Sequence, residues 1–302
     1  MDFQRVAVTG GCGRLGRFVV AELARHARVT VIDRAVAEIP AAETVVALDV
    51  RDGAALARTI AGHDAIVHLA ALDLAVEAAE SQFFETNVLA TWAVLWAAEE
   101  TGVAKVAIAS SNSAYGLSCA APRVPPVSLP IDEDHPLRPS HAYAVGKVAS
   151  EEIARAFARR GAVETVALRP MLVMRPGLAT EVAGLMAALG TGAIGEDDPR
   201  VAELPLLASY VRPDDAARCF RLALAADGAP FEVFNVAAAD SFAAEPTLDL
   251  VARRFGGLPE IKCPRLFAEN PRAAAFDSRR ARERLGWQPT GDWAATLAAD
   301  RA

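Results

Sequence analysis

The sequence predicts an α/β fold, in which a doubly wound parallel sheet carries a smaller, discontinuous C-terminal lobe. Between residues 5 and 168, short apolar and β-branched runs alternate with helical periodicity. Continuous apolar strands of this kind are typical of parallel sheets that are covered on both faces. Beyond Arg169-Pro170 the alternation stops, and the segments that follow are mostly irregular and contain Gly and Pro. The predicted sheet domain comprises 1–170 and about 211–237, and the predicted lobe comprises about 171–210 and 238–302.

The first predicted unit, residues 5–33, consists of a strand, a glycine turn, a helix and a second strand. Residues 11–16 match the dinucleotide fingerprint G-x-G-x-x-G. Gly10, Gly13 and Gly16 match its G-x-x-G-x-x-G variant. Such glycines allow a tight turn, the approach of backbone to a pyrophosphate, and close packing of the helix on the strand. The unit therefore predicts a Rossmann-type dinucleotide site.

An acid at the end of the second strand indicates which dinucleotide is bound. Asp33 lies twenty positions after Gly13. A carboxylate at this place accepts both hydroxyls of an adenosine ribose and repels a 2′-phosphate, whereas the adjacent Arg34 would attract that phosphate. We expect the cofactor to be NAD rather than NADP.

The remaining elements follow in order. After the first unit we expect strands at 44–50, 65–70, 103–109, 165–168 and 231–236, and helices at 53–62, 81–100, 141–160, 211–226 and 278–285. Ligands of open α/β sheets bind at the carboxyl ends of such strands. We expect Asp49 and Val50 beside the adenine, and the small residues after His68 over the cofactor. His68 itself is expected to be a hydrogen-bonded core residue.

The helix at 81–100 is apolar over more of its circumference than one core-facing stripe needs. Its second apolar face contacts either another helix of the same chain or a second subunit, and from the latter alternative we expect a homodimer. Asn87 lies among these apolar residues, so its amide is expected to reach a backbone group or the cofactor.

A tyrosine and a lysine open the helix at 141–160. Tyr143 and Lys147 are four residues apart and therefore share one helix face. A nearby ammonium stabilises a phenolate, so we expect Lys147 to lower the pKa of Tyr143 and make it a usable base. A second polar cluster, 110–116, follows the strand at 103–109.

Composition excludes several classes of function. The net charge is −7 and no basic run occurs, which makes nucleic acid an improbable partner. The acidic loop at 132–134 lacks the ligand spacing of a metal cage, so no metal is expected. The first strand begins almost at the N-terminus and no apolar run reaches membrane-spanning length, so we expect no membrane association. Free thiols are expected for the scattered cysteines, and with them a cytoplasmic protein; these are Cys12, Cys119, Cys219 and Cys263.

Taken together, these motifs resemble those of the extended short-chain dehydrogenases/reductases, in the NAD-dependent epimerase/dehydratase family. The main matches are the glycine turn, His68-Leu69-Ala70-Ala71, the cluster at 110–116, and Tyr143-x-x-x-Lys147. The resemblance implies a catalytic triad of Ser111, Tyr143 and Lys147. The resemblance and the motifs together predict the contacts with the cofactor. These are Gly10, Gly13, Arg14, Leu15, Gly16, Asp33, Arg34, Asp49, Val50, Leu69, Ala70, Ala71, Asn87, Tyr143, Lys147 and Met171. The expected substrate contacts are Ser111, Asn112, Ser113, Tyr143 and Arg175.

The chain departs from the family pattern after the strand at 165–168. Met174-Arg175-Pro176 replaces the family's Tyr-Gly-Pro, and the insertion that follows is shorter than in nucleotide-sugar enzymes. The short insertion together with Ser110-Ser111-Asn112 is similar to the pattern of uronate dehydrogenases, so the resemblance implies a dehydrogenase that acts on a sugar or sugar-acid carbinol. Two alternatives stay open: a nucleotide-sugar epimerase that retains NAD, and a non-catalytic NAD-binding regulatory protein.

Overall fold

The computed structural model describes residues 3–74, 76–117, 124–195, 198–202 and 204–301. Its strands are β1 (Arg5–Thr9), β2 (Arg28–Asp33), β3 (Thr44–Ala47), β4 (Ala65–His68), β5 (Lys105–Ala109), β6 (Ser128–Leu129), β7 (Glu164–Pro170), β8 (Leu172–Val173), β9 (Tyr210–Val211), β10 (Phe231–Val236) and β11 (Glu260–Ile261). Seven of them form one parallel sheet in the order β3-β2-β1-β4-β5-β7-β10. The predicted α/β fold is therefore confirmed.

The described part of the chain contains twelve α-helices, which cover the sheet or belong to the lobe. They are α1 (Gly16–Leu23), α2 (Gly53–Ile60), α3 (Glu80–Phe83), α4 (Leu89–Thr101), α5 (Ala142–Arg160), α6 (Leu178–Gly190), α7 (Pro199–Ala202), α8 (Pro213–Ala225), α9 (Thr247–Phe255), α10 (Pro264–Glu269), α11 (Arg279–Leu285) and α12 (Trp293–Arg301). Buried side chains of α1, α8 and α11 cover one face of the sheet, and those of α2, α4 and α5 cover the other. This is the double winding that the alternating sequence predicts.

The order of strands reverses at the centre of the sheet. β1 pairs with β2 on one side and with β4 on the other, and Thr9 is the last residue of β1 to pair with either. The connections from β1 and β4 leave in opposite directions, which opens a crevice at the carboxyl edge. The glycine turn and the residues after His68 both lie at this crevice.

Several strands end earlier than the sequence predicts, because a strand extends only as far as its neighbour. β3 is an edge strand, and its last residue, Ala47, pairs with Asp33 at the end of β2. Asp49 and Val50 therefore lie beyond the ladder. β4 similarly ends at His68 rather than residue 70, since its partner β1 turns into the glycine loop after Thr9. β5 begins at residue 105 rather than 103, whereas β7 extends to Pro170.

The helix predicted at 81–100 is not continuous. A π-helical segment, Phe84–Val88, separates α3 from α4. Apolar periodicity does not reveal such a segment because the backbone stays helical through it and apolar residues continue in α4. π-Segments within helices occur frequently at functional sites.

The lobe contains more regular structure than the sequence predicts. Helices α9 and α10 lie in a stretch that the sequence predicts to be irregular. Helix α12 lies beyond 278–285, the last helix that the sequence predicts. A cluster of buried apolar residues from α6, the segment around Phe242 and Trp293 forms the core of the lobe. Ala281, Leu285 and Trp287 instead pack in the core beneath the sheet. The division of the chain into 1–170 with 211–237, and 171–210 with 238–302, stays a prediction, and the packing of α11 shows that this helix lies with the sheet.

None of the helices in the described ranges has both the length and the apolarity that a bilayer-spanning segment needs. Cys12, Cys219 and Cys263 are free thiols. Cys119 lies outside the described residues.

Candidate active site

The glycine turn brings the start of α1 against the loop after β4. Gly10 has a φ of +71°, and a Cβ at this position would lie 2.6 Å from the backbone nitrogen of Ala70. A Cβ at Gly16 would overlap the carbonyl oxygen of Gly10. Both residues must therefore be glycine for the turn to pack as it does.

Gly13 differs from the other two glycines because the protein's own packing hardly requires it. A Cβ here would meet only the carbonyl oxygen of Gly10, at 3.1 Å, and both Gly13 and Arg14 are exposed. Leu15, which precedes α1, does not cap the helix with its side chain, and the first turn contains no acid. An exposed glycine beside an uncapped helix N-terminus leaves backbone N–H groups open to a phosphate, so the turn fits the pyrophosphate of a dinucleotide.

Asp33 lies beside this turn. Its carboxylate accepts hydrogen bonds from the backbone N–H of Cys12, at 3.1 Å, and of Ala35, at 3.2 Å. Arg34 is exposed and Asp33 is half-buried. The two backbone bonds fix the carboxylate at the crevice, which is the placement that ribose recognition requires.

Asp49 and Val50 lie next to the same end of the sheet. The Arg51 guanidinium pairs with Asp49 at 2.6 Å and lowers the pKa of that carboxyl to about 2. Val50 is buried. The proposed adenine contact of these two residues stays a prediction.

His68 is a core histidine, as expected. Its Nδ1 lies 2.7 Å from the hydroxyl of Thr9, and its Nε2 lies 3.4 Å from the hydroxyl of Thr91. Burial, with a smaller effect of the Lys147 charge, lowers its pKa to about 3. The imidazole is therefore neutral and has a hydroxyl partner at each ring nitrogen, which gives His68 a structural role. Leu69 and Ala70 are half-buried and Ala71 is exposed at the crevice.

Asn87 reaches the backbone, which was one of the two alternatives. Its amide oxygen accepts from the N–H of Leu72 at 2.7 Å, and its amide nitrogen donates to the carbonyl of Leu72 at 3.1 Å. The π-segment thus holds the loop after β4 in place. The contact of Asn87 with the cofactor stays a prediction, as does that of Met171, which is buried.

Ser111, Tyr143 and Lys147 converge from two elements. Ser111 is the second residue after β5, and its hydroxyl caps a short 3-10 helix, Asn112–Tyr115, by accepting from the N–H of Ser113 at 3.1 Å. It also acts on Tyr143, whose pKa it lowers. The ammonium of Lys147 lies 5.4 Å from the centre of the Tyr143 ring and donates to the carbonyl of Ala109 at 2.7 Å. The three residues that the resemblance implies as catalytic are therefore neighbours.

Burial has the largest effect on the pKa values of Lys147 and Tyr143. It lowers the pKa of Lys147 to about 8, against the carboxylates of Asp73 and Glu151, which raise it. Burial and Asp73 raise the pKa of Tyr143 above its usual range, while Ser111 acts in the opposite direction. Burial outweighs the other effects in the protein by itself, and the lowering of the Tyr143 pKa by Lys147 stays a prediction.

The polar cluster beside Ser111 faces the same crevice. Asn112 and Ser113 are buried, and the hydroxyl of Ser111 lies 3.3 Å from the amide oxygen of Asn112. Arg175 is half-buried just after β8, and no acidic partner is seen for its guanidinium among the described residues. Contact of these side chains with a substrate stays a prediction.

Asp73 is a residue of this site that sequence reasoning missed. It lies in the loop after β4, acts electrostatically on both Tyr143 and Lys147, and pairs with Arg14 across the crevice at 3.4 Å. Nothing in its sequence context distinguishes it from a surface acid, since the fold alone brings it to α5.

The acidic loop is held by basic residues of the protein. Asp132 pairs with Lys262 at 3.1 Å, and Asp134 pairs with Arg280 at 2.6 Å. Within the described ranges, no group of three or more His, Cys, Asp or Glu side chains could hold a metal ion.

Comparison with known proteins gives three kinds of relative. The family model described as "NAD dependent epimerase/dehydratase family" matches residues 6–237. UDP-glucose 4-epimerase of Corynebacterium glutamicum is 25% identical over 94% of this chain and 91% of its own length. L-arabinose 1-dehydrogenase (NAD(P)(+)) of Haloferax volcanii is 35% identical over 55% of this chain and 65% of its own. Uronate dehydrogenase of Pseudomonas putida is 31% identical over 55% and 60%.

A solved structure extends the comparison to three dimensions. A short-chain dehydrogenase/reductase superfamily protein from Agrobacterium tumefaciens, crystallised with bound NAD, is 26% identical. Its alignment covers 98% of this chain and 96% of that protein, with a TM-score of 0.70.

Proposed function

The chain belongs to the NAD-dependent epimerase/dehydratase family, whose cofactor is NAD, and from this premise we propose that it is a sugar or sugar-acid dehydrogenase. The observation that carries the proposal is the convergence of Ser111, Tyr143 and Lys147 at the crevice where the glycine turn ends. Bound NAD supplies the hydride acceptor in this chemistry. The chain's own residues supply the proton acceptor and the orientation of the substrate.

In the proposed reaction, Tyr143 acts in its deprotonated form, and its phenolate oxygen takes the proton of the substrate hydroxyl as hydride leaves the carbinol carbon. The hydroxyl of Ser111, which also acts on the pKa of Tyr143, orients the substrate oxygen. Lys147 holds a positive charge 5.4 Å from the ring, where it favours the phenolate, and it binds the nicotinamide ribose. Since Lys147 has a pKa of about 8, this support weakens above that pH.

Two observations support a substrate without a nucleotide. The dehydrogenase relatives are named for arabinose and for uronates, which are free sugars and sugar acids. Arg175, half-buried and without a described acidic partner, would pair with the carboxylate of a sugar acid. We propose that Ser111, Asn112, Ser113 and Tyr143 surround the reacting carbinol, and that Arg175 contacts the opposite end of the substrate.

A nucleotide-sugar epimerase that retains NAD is the second candidate. The observation in its favour is the relative named UDP-glucose 4-epimerase, which matches nearly the whole chain. A non-catalytic NAD-binding regulator is the third, and the intact Ser111-Tyr143-Lys147 group argues against it, since binding alone does not need all three.

We further propose a homodimer in the cytoplasm. Leu89 and Trp92 of α4 are 56% and 46% exposed, and α5 lies alongside. Exposed apolar side chains on α4, beside a second long helix, are suited to a self-complementary contact about a two-fold axis. The free thiols of the described cysteines fit a reducing compartment.

One assay separates the candidates. The purified protein is incubated with NAD and a panel of aldoses, uronates and nucleotide sugars, and both NADH and sugar isomers are measured. We expect NADH to accumulate with an aldose or a uronate. Formation of an isomer without net NADH would indicate the epimerase, and binding of NAD without turnover of any compound would indicate the regulator.

A further inference from the structure

The long helix α5 presents three side chains to three consecutive residues at the end of β5. Tyr143, Lys147 and Glu151 are spaced four residues apart and therefore form one row along the helix. Tyr143 is acted on electrostatically by Ser111, and Lys147 donates to the carbonyl of Ala109. Glu151 completes the row, because its carboxylate accepts the hydroxyl hydrogen of Ser110. The two residues before Ser111 are thus hydrogen-bonded to α5.

Glu151 is itself held by a buried arginine of the neighbouring strand β7. The Nε of Arg169 donates to one carboxylate oxygen at 2.8 Å, and a terminal nitrogen donates to the other at 2.7 Å. The side chains of both residues are at most 3% exposed. A bidentate pair of this kind fixes the carboxylate in direction as well as in place.

The remaining nitrogen of Arg169 is also engaged. It donates to the hydroxyl of Tyr115 at 2.8 Å and to the carbonyl of Glu133 at 3.1 Å. Tyr115 in turn donates to the amide oxygen of Asn235 on β10 at 2.7 Å. Arg169 is therefore bonded to α5, to the 3-10 helix and to the acidic loop at once, and it has no freedom to release Glu151.

We propose that Glu151, fixed by Arg169, is a positioning residue of the active site. It holds the backbone that presents Ser111 through Ser110, and its negative charge keeps Lys147 charged beside Tyr143. The inference rests on the proposed function, because it assigns Glu151 a role through residues that this function uses.

The second effect of Glu151 is on the protonation of Lys147, which depends on every charged group that faces the ammonium. These groups are Glu151 on its own helix, Asp73 in the loop after β4, His68 on β4, and Tyr143. His68 is neutral, so Asp73 and Glu151 are the two anions that retain the proton. Both carboxylates pair with an arginine: the half-exposed Asp73 with Arg14, and Glu151, which is shielded from water, with the buried Arg169. Asp73 has the larger effect on Lys147, and Glu151 adds to it from a site that water does not screen.

The first test measures Lys147 without NAD or substrate. The chain has three lysines, Lys105, Lys147 and Lys262, so NMR titration of isotope-labelled lysine side chains gives three curves, and Lys147→Met identifies one of them. In Glu151→Gln we expect the Lys147 curve to move to lower pH by at least about half a unit. The matched control is Glu152→Gln, which removes an exposed carboxylate at the next position and should leave the curve in place. An unmoved Lys147 curve in Glu151→Gln would overturn the charge role.

The second test uses Ser110→Ala, which keeps the buried pair of Glu151 and Arg169. It therefore tests the positioning role even if Glu151→Gln does not fold. We expect kcat to fall at least about threefold while the KM for NAD is unchanged, because only the placement of Ser111 is disturbed. An unchanged kcat would refute the positioning role. A wild-type protein that turns over no compound of the panel would instead overturn the proposed function, and the lysine titration would still decide this inference.

Discussion

Asp33 is the residue that we expect to determine the choice between NAD and NADP. Its carboxylate is fixed at the crevice by two backbone N–H groups. Asp33→Asn removes the charge and keeps the shape, so NAD should bind roughly 10-fold more weakly or worse, since hydrogen bonds to a charged group are lost. Calorimetry with both dinucleotides measures the change. Wild-type binding of NADP as tight as that of NAD would mean that Arg34 determines the preference, and Arg34→Ala would then weaken NADP alone.

Glu133 is a buried acid whose ionisation opposes folding. Burial raises its pKa to about 7, against a hydrogen bond from the N–H of Asn235 and the charge of Arg280. A raised pKa means that the folded protein binds a proton which the unfolded chain has already released. The contribution of Glu133 to stability is therefore full below its ordinary pKa of 4.5 and is lost as the pH rises through about 7.

This predicts a pH-dependent effect of Glu133→Gln. The variant keeps an acceptor for Asn235 and removes the carboxylate that must ionise. Near pH 5 the two proteins should have similar free energies of unfolding, and near pH 8 the variant should be more stable by about 1 to 3 kcal/mol. Urea unfolding at both pH values provides the measurement. A variant that is less stable than the wild type at both would show that the pairing with Arg280 outweighs the burial of the charge.

At this scale, local patterns in the sequence identify the residues that act within one element. The glycines of the turn, and Tyr143 with Lys147, are recognisable because each set lies within one turn or one helix. Their separation in the sequence therefore determines their relative positions in the fold. Asp73, and the pairing of Glu151 with Arg169, are not recognisable in this way. Each depends on two elements meeting, and an isolated acid or arginine gives no sign of its partner.

Among the elements, the glycine turn depends most strictly on the absence of side chains. Gly16→Ala should lower the free energy of unfolding by about 2 kcal/mol or more, because its Cβ would overlap the carbonyl of Gly10. Gly184→Ala is the matched control. Gly184 lies inside α6 with nothing within 4 Å of a Cβ, so this substitution should raise stability by about 0.5 to 1 kcal/mol. Thermal unfolding compares the two. Equal stabilities for Gly16→Ala and the wild type would show that the turn is looser than described.

Element types are predictable from the sequence where a strand or helix has a clear period. The ends are less so, because they depend on neighbours: β3 stops where β2 stops, and β4 stops where β1 enters the turn. The break at Phe84–Val88 is hidden because the chain stays helical through it and no Pro or Gly marks it. The short helices α9 and α10 lie among Gly and Pro residues, which makes them resemble loop in the sequence.

For the whole molecule, we predict that Leu89→Glu converts a dimer into a monomer. Leu89 is 56% exposed on α4, beside Trp92, and a carboxylate there would be buried without a partner at the two-fold contact. Light scattering at micromolar concentration reports the mass. The matched control is Leu258→Glu, which alters a 51% exposed leucine after α9 and should leave the mass unchanged. A monomeric wild type would remove the prediction.

The whole molecule brings the glycine turn, the carboxylate of Asp33 and the Ser111-Tyr143-Lys147 group to one crevice. The central claim of the proposed function is that Tyr143 accepts the substrate proton. Tyr143→Phe keeps the ring against Phe83 and removes only the phenol oxygen. Circular dichroism and calorimetry should show an intact fold and retained NAD binding.

The most direct test is therefore the turnover of Tyr143→Phe on the substrate that the panel identifies. We predict a fall of roughly 100-fold to 10,000-fold, the range that a positioned proton acceptor supplies. Near-normal turnover in the variant would contradict the account, and the resemblance to dehydrogenases would then concern the fold alone.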